Sequence, residues 1–166
     1  MHAAILCPGP SLPGRYSGVH DLVIAVNAAI EFNAKIDLWC CFDWQTFGKF
    51  QNNETPAICR KDVWQIGIES GAQYENPLAL LVDPEAEDTP PDVDGRYTWS
   101  SCGAVIAAYM LGADRIAMYG ADMTGDTDYR GTSSKARGDN RWSREMESLT
   151  SLMGWMRQQN VIVERA

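Results

Sequence analysis

Hydrophobic positions fall into short solid runs separated by polar breaks rich in glycine and proline. Residues 3–7 and 22–26 are apolar throughout, as strands buried on both faces of a parallel sheet must be. Residues 36–42 form a third run that closes at Asp43, and residues 55–60 and 63–68 read as two shorter strands. Residues 115–119 and 161–163 read as the last two strands. Helical spacing appears between these runs. Residues 28–34 suit a brief helix, and residues 44–50 a helix capped by Asp43. Residues 104–111 are apolar nearly all round, the pattern of a buried helix, and Gly112 ends it. Residues 142–159 place Trp142, Met146, Leu149, Leu152, Met153 and Met156 at three- and four-residue steps, an amphipathic helix. Residues 13–20 hold too many breakers for a long helix. Residues 78–82 are apolar, but residues 83–97 are acidic with three prolines and read as an exposed loop or lid; residues 124–140 read as a mobile polar loop. Alternating strands and helices predict a single three-layer α/β domain over residues 1–166, with a mostly parallel sheet of five to seven strands.

Charge narrows the partners. At 166 residues with a formal net charge of −8, the chain is poorly suited to non-specific binding of nucleic acid or anionic membrane. A small phosphate ligand remains compatible, because backbone N–H groups and a few arginines can hold one locally. No stretch reaches the roughly 18 apolar residues of a membrane span, and the N-terminus has no signal-peptide pattern. The five cysteines lack metal-site spacing, and their odd number suits reduced thiols in a cytoplasm.

Candidate chemistry gathers at the predicted strand ends, where open parallel sheets bind ligands. Cys7-Pro8-Gly9-Pro10-Ser11 stops the first strand: Gly9 lets a ligand approach the main chain, and Ser11 is placed to cap the turn or helix that follows. A strand, a glycine turn and a helix N-terminus together suit a phosphate; an ordinary strand-to-helix turn has the same pattern. Asn27 ends the second strand, and Gly120 and Asp122 end the strand of residues 115–119. Ser100 and Ser101 open the buried helix, where capping and phosphate contact use the same helix end. Asp122, Asp126 and Asp128 lie close in sequence; Asp122 with Asp126 suits Mg²⁺, and a solvated acidic turn is the alternative. Arg130, Lys135, Arg137, Arg141 and Arg144 follow, with Arg137 and Arg141 best placed to clamp a phosphate at the start of the last helix. Neither a Walker-type loop nor a serine-nucleophile elbow is present.

Four blocks in order carry a resemblance: Cys7-Pro8-Gly9-Pro10-Ser11-Leu12, Val23-Ile24-Ala25-Val26-Asn27, residues 36–43, and Ser100-Ser101-Cys102-Gly103-Ala104 followed by residues 111–122. Together they resemble the Rossmann-like superfamily that joins bacterial lipooligosaccharide sialyltransferases, flagellin-glycosylation proteins and 6-hydroxymethylpterin diphosphokinases, and its small phage-type members. The resemblance implies a glycosyltransferase-like transferase using a nucleotide-activated sugar, and the cysteine usage a cytoplasmic one. Gly9, Pro10, Ser11, Asn27, Ser100, Ser101 and Gly120 match its substrate-binding positions, Arg137 and Arg141 would join them from their own placement before the last helix, and Asp122 and Asp43 would be catalytic. Pro8 stands where the family has an asparagine. The sialyltransferases also carry a histidine beyond the Gly-x-Asp; here the only histidines are His2 and His20, so a base would be Asp43, Asp122 or Asp126. Alternatives are a Mg²⁺-dependent, diphosphokinase-like phosphotransferase and a non-catalytic nucleotide-binding or assembly protein, with a homo-oligomer compatible with each.

Overall fold

The structure, a computed structural model, describes residues 1–50, 54–71, 79–82, 99–125, 127–132 and 140–166. Seven strands form one sheet: β1 (His2–Leu6), β2 (Leu22–Val26), β3 (Leu38–Cys40), β4 (Ala57–Arg60), β5 (Ala79–Val82), β6 (Arg115–Tyr119) and β7 (Ile162–Arg165). The order is β5-β4-β3-β2-β1-β6-β7, and every neighbouring pair is parallel. The chain winds outward from β1 to β5, then crosses back to lay β6 and β7 on the other side of β1. The winding therefore reverses between β1 and β6, and a crevice opens at the carboxyl ends of those two strands.

Helices cover both faces, as side-chain alternation requires. Ala3 and Ile5 of β1, Ile24 and Val26 of β2, and Ile116 and Met118 of β6 pack against α4 (Ser100–Met110) and α5 (Asn140–Gln158). Ala4, Leu6, Val23, Ala25, Ala117 and Tyr119 face the other layer. That layer comprises α1 (Leu12–Arg15), a 3₁₀ turn over Asn27–Glu31, α2 (Trp44–Phe50) and α3 (Lys61–Glu69). It is anchored by Trp39, fully buried and stacked on Phe47 with ring centroids 4.9 Å apart. The apolar stripe of α5 is core: Leu149, Leu152 and Met156 are fully buried.

The boundaries of β2, α2 and β6 fall where the hydrophobic pattern puts them. The segment over residues 63–68 does not form the expected strand; it lies within helix α3. β4 and β5 are adjacent and parallel, and such a pair needs a crossover between its members, usually a helix. The β-branched residues favour a strand, but topology overrides them, and Ile66 and Ile68 stay about half exposed on the helix surface. The acidic segment of residues 83–97 lies outside the described residues. Among the described residues no helix is long and apolar enough to cross a membrane.

Candidate functional site

Pairing of β1 with β6 brings two loops out of the sheet side by side. Leu6 lies opposite Tyr119. Beyond them the Cys7 N–H donates to the Tyr119 carbonyl at 2.8 Å, and the Gly9 N–H to the Gly120 carbonyl at 3.0 Å. The approach excludes side chains. A Cβ on Gly9 would fall 2.2 Å from the Gly120 oxygen and 2.3 Å from Asp122 Oδ2. Gly120 itself adopts φ +67, and a Cβ there would lie 2.3 Å from the Cys7 oxygen. Asp122 closes the junction: its Oδ2 accepts the Ser11 N–H at 2.9 Å. Ser11 precedes α1 but makes no side-chain capping bond, contrary to expectation. Its backbone is already helical (φ −76, ψ −11), unlike the extended backbone of a capping residue, and Asp122 takes its N–H.

Asn27 stands across the crevice. It adopts φ +50, a left-handed backbone that only a few residue types tolerate. Its carbonyl accepts the Trp39 indole N–H at 2.9 Å. Its side-chain Oδ1 is buried without a partner among the described residues. Asp43 is exposed and caps α2, its Oδ1 accepting the Thr46 N–H at 2.7 Å. Ser100 and Ser101 are the first two residues of α4, both buried. Ser100 Oγ accepts the Phe42 N–H at 2.9 Å. Ser101 Oγ donates to Glu145 Oε1 at 2.7 Å, so the two serines fasten α4 to the segment that follows β3 and to α5 rather than capping it.

These groups surround a cavity of about 250 Å³ at the point where the winding reverses. Gly9, Asn27, Asp43 and Ser100 line it, as do Ser101, Gly120, Asp122 and Arg141. Pro10, which is exposed, and Ser11 do not line it, contrary to expectation, while Arg137 and Asp126 lie outside the described residues. The lining also includes Trp99, Trp142, Asp128 and Glu145. Arg141 is exposed and sits over the Trp99 ring, 5.2 Å from its centroid, and the Trp99 indole donates to Ser148 Oγ at 3.2 Å. Beyond β6, the segment of residues 127–132 is tied to the first loop: the Tyr129 N–H donates to the Pro8 carbonyl at 2.9 Å. Burial raises the Asp128 carboxyl, but hydrogen bonds from the Arg130 guanidinium and the Thr132 and Arg130 N–H groups outweigh it, leaving the group below the usual carboxylate range.

Glu145 is the charged lining residue that sequence reasoning missed. It is buried, on the face of α5 that otherwise enters the core. Burial pushes the neighbouring Cys7 thiol far up, with the Glu145 charge adding to the effect, and raises Cys102 to about 12 for the same two reasons. The available signal was an acidic residue four positions before Leu149, inside an apolar stripe. Among the described residues no group of three or more His, Cys, Asp or Glu side chains is placed to hold a metal ion. Comparison with protein-family models, with curated proteins and with solved structures finds no match. What stands is a generic Rossmann-like α/β domain of nucleotide-binding type, not membership of a specific family.

Proposed function

We propose that the chain is a transferase that takes a nucleotide-activated donor, a nucleotide sugar in the first instance. The observation that carries this reading is Asn27. A residue held left-handed, with a buried acceptor left unpartnered among the described residues, faces a cavity at the reversal point of a parallel sheet. Leaving such an acceptor unmatched costs about 1–3 kcal/mol, which a ligand carrying a hydroxyl or amino donor would recover. Gly9 and Gly120 serve the contact between the two loops, rather than ligand access to the main chain as expected of Gly9, while α4 turns its positive end toward the cavity. Arg141 supplies a cation for a leaving phosphate, and Trp99 and Trp142 supply aromatic walls. In this reading Asp122 holds the first loop in place beneath the donor, and Asp43 orients the acceptor at the rim. Ligand pockets commonly span about 300–1,000 Å³. A cavity of about 250 Å³ takes part of a nucleotide sugar, with the remainder outside.

A second reading is favoured by one specific feature: Asp43, Asp122, Asp128 and Glu145 all line the cavity, an acidic mouth for a phosphate ligand. A Mg²⁺-dependent phosphotransferase of the diphosphokinase type would suit it, with Asp122 and Asp126 as candidate ligands. Thermal denaturation against CMP, UDP, GDP and ATP, with and without Mg²⁺, tests both. A nucleotide present at about 100 times its Kd should add about 2.7 kcal/mol of stability, seen as a rise in Tm of several degrees. A Mg²⁺-independent shift supports the sugar transferase, and a shift with ATP that needs Mg²⁺ supports the phosphotransferase. No shift with any nucleotide would overturn both and leave an assembly role.

A further inference from the structure

Glu145 is the one acidic side chain buried among the described residues, and it lies on the cavity wall. Removing a carboxylate from water is costly unless a cation or several hydrogen bonds compensate. No ion pair to Glu145 is formed among the described residues; its bond is the one from the Ser101 hydroxyl. Arg141, one turn earlier on α5, is drawn to the Trp99 ring, and the Arg165 guanidinium donates to the Ala121 and Asp122 carbonyls. A hydrophobic residue here would extend the apolar stripe of α5 without that cost.

The other carboxylates of the cavity have structural duties. Asp122 ties the first loop to the β6 loop, Asp43 caps α2 from an exposed position, and Asp128 is gripped by Arg130. Glu145 alone is held by a hydroxyl. One oxygen is fixed by that bond while the group as a whole borders the cavity. A carboxylate fixed at one oxygen, bordering a ligand cavity and shielded from bulk water, is equipped to accept a proton from a ligand hydroxyl.

We propose that Glu145 is the general base of the transfer, with Ser101 as the positioning residue that fixes its carboxylate; this rests on the transferase reading above. The substrate class follows: the acceptor presents a hydroxyl. As the acceptor oxygen bonds to the anomeric carbon of the donor sugar, its proton passes to Glu145. The bond from that carbon to the phosphate oxygen breaks, and the electron pair leaves with the nucleotide phosphate beside Arg141. Glu145 then returns the proton to solvent.

The test uses the full chain, CMP-, UDP- and GDP-activated sugars, and methyl glycosides as hydroxyl acceptors. Nucleotide binding is read by thermal shift, and turnover by release of free nucleotide. Glu145→Gln keeps the shape and can still accept the Ser101 hydrogen bond. It should bind nucleotide within about twofold of wild type, while turnover falls by about 10²–10⁴-fold, the range general bases supply. Glu145→Asp should recover part of the rate. Ser101→Ala should displace the acidic limb of the pH–rate profile, which a purely structural serine would leave in place. Glu145→Gln turnover within about threefold of wild type across the pH range sinks the base and leaves the transferase. Wild-type binding without nucleotide release from any donor overturns transfer and base together, and absence of binding removes the nucleotide reading itself.

Discussion

Asn27 holds a left-handed backbone at the end of β2 while its side-chain oxygen lies buried without a partner among the described residues. Left-handed conformation costs most side chains about 1–2 kcal/mol, and glycine and asparagine far less. Two substitutions separate the backbone demand from the ligand demand. Both substitutions also remove the unmatched acceptor, so Asn27→Gly should be at least as stable as wild type, and Asn27→Ala should fall about 1 kcal/mol below Asn27→Gly in urea denaturation; both should abolish the nucleotide-induced rise in Tm. If Asn27→Ala kept the full nucleotide shift, the site would have to be drawn without Asn27. Legibility at this scale differed from residue to residue. Asn27, Gly120 and Asp122 stood out because a polar or glycine residue directly after an apolar run marks a strand end. The tie from Asp122 to Ser11 spans 111 positions, so no local pattern announces it. Glu145 was hidden for a different reason: helical periodicity sorts residues into a wet and a dry face, and an acid on the dry face reads as a member of the wet one.

The elements themselves were legible where burial leaves one solution. β1, β2 and β6 are central strands, buried on both faces, so continuous apolar runs name them. α3 was not legible, because its sequence fits a strand and only its place between two parallel neighbours makes it a helix. At the start of α2, Asp43 accepts the Thr46 N–H, and losing such a cap costs typically about 1 kcal/mol. Asp43→Ala should therefore lower stability by that amount in equilibrium denaturation, and Asp43→Asn should retain most of it. At the entry to β2, His20 packs edge-to-face on His2, and its Nε2 lies 3.1 Å from the Tyr119 hydroxyl, which lies 3.2 Å from Ser17 Oγ. Burial lowers the His20 value below the ordinary 6.5 and His2 lowers it further, against an opposing pull from Asp21. A lowered value favours the neutral ring in the folded state. The unfolded chain then gains protons first as pH falls, and folding weakens from about pH 6.5 down to the lower folded value. Urea midpoints measured from pH 7.5 to pH 5 should drop more steeply in wild type than in His20→Gln. Identical slopes would show that this ring does not couple to folding.

Across the whole molecule, the five cysteines provide a set of internal reporters. Cys7 follows β1, Cys40 ends β3, Cys41 follows it, Cys59 lies in β4 and Cys102 in α4, and all five are free and buried. Burial raises every one of these thiols: Cys59 and Cys102 to about 12, the other three further. Thiol reagents attack the thiolate, so at neutral pH the folded chain should be nearly inert and the chain in denaturant should show five reactive groups. The order of attack in the native state carries more information than the count. Cys7, Cys40 and Cys102 belong to the layer between the sheet centre and α4, whereas Cys59 lies in β4, one strand from the β5 edge of the sheet. Edge elements open more readily than central ones when a domain has sub-global fluctuations. Under sub-denaturing urea, with labelled peptides located by mass spectrometry, Cys59 should react ahead of Cys7, Cys40 and Cys102, which should share one slower rate. The site lies on the slow side of that division, since Cys7 belongs to the first loop and Cys102 to the first turn of α4. A nucleotide bound there should slow labelling of Cys7 and Cys102 while leaving Cys59 unchanged. Equal slowing at all five thiols would mean that the domain opens only as one unit, and faster labelling of Cys7 than of Cys59 would place the weakest part of the fold at the crevice itself.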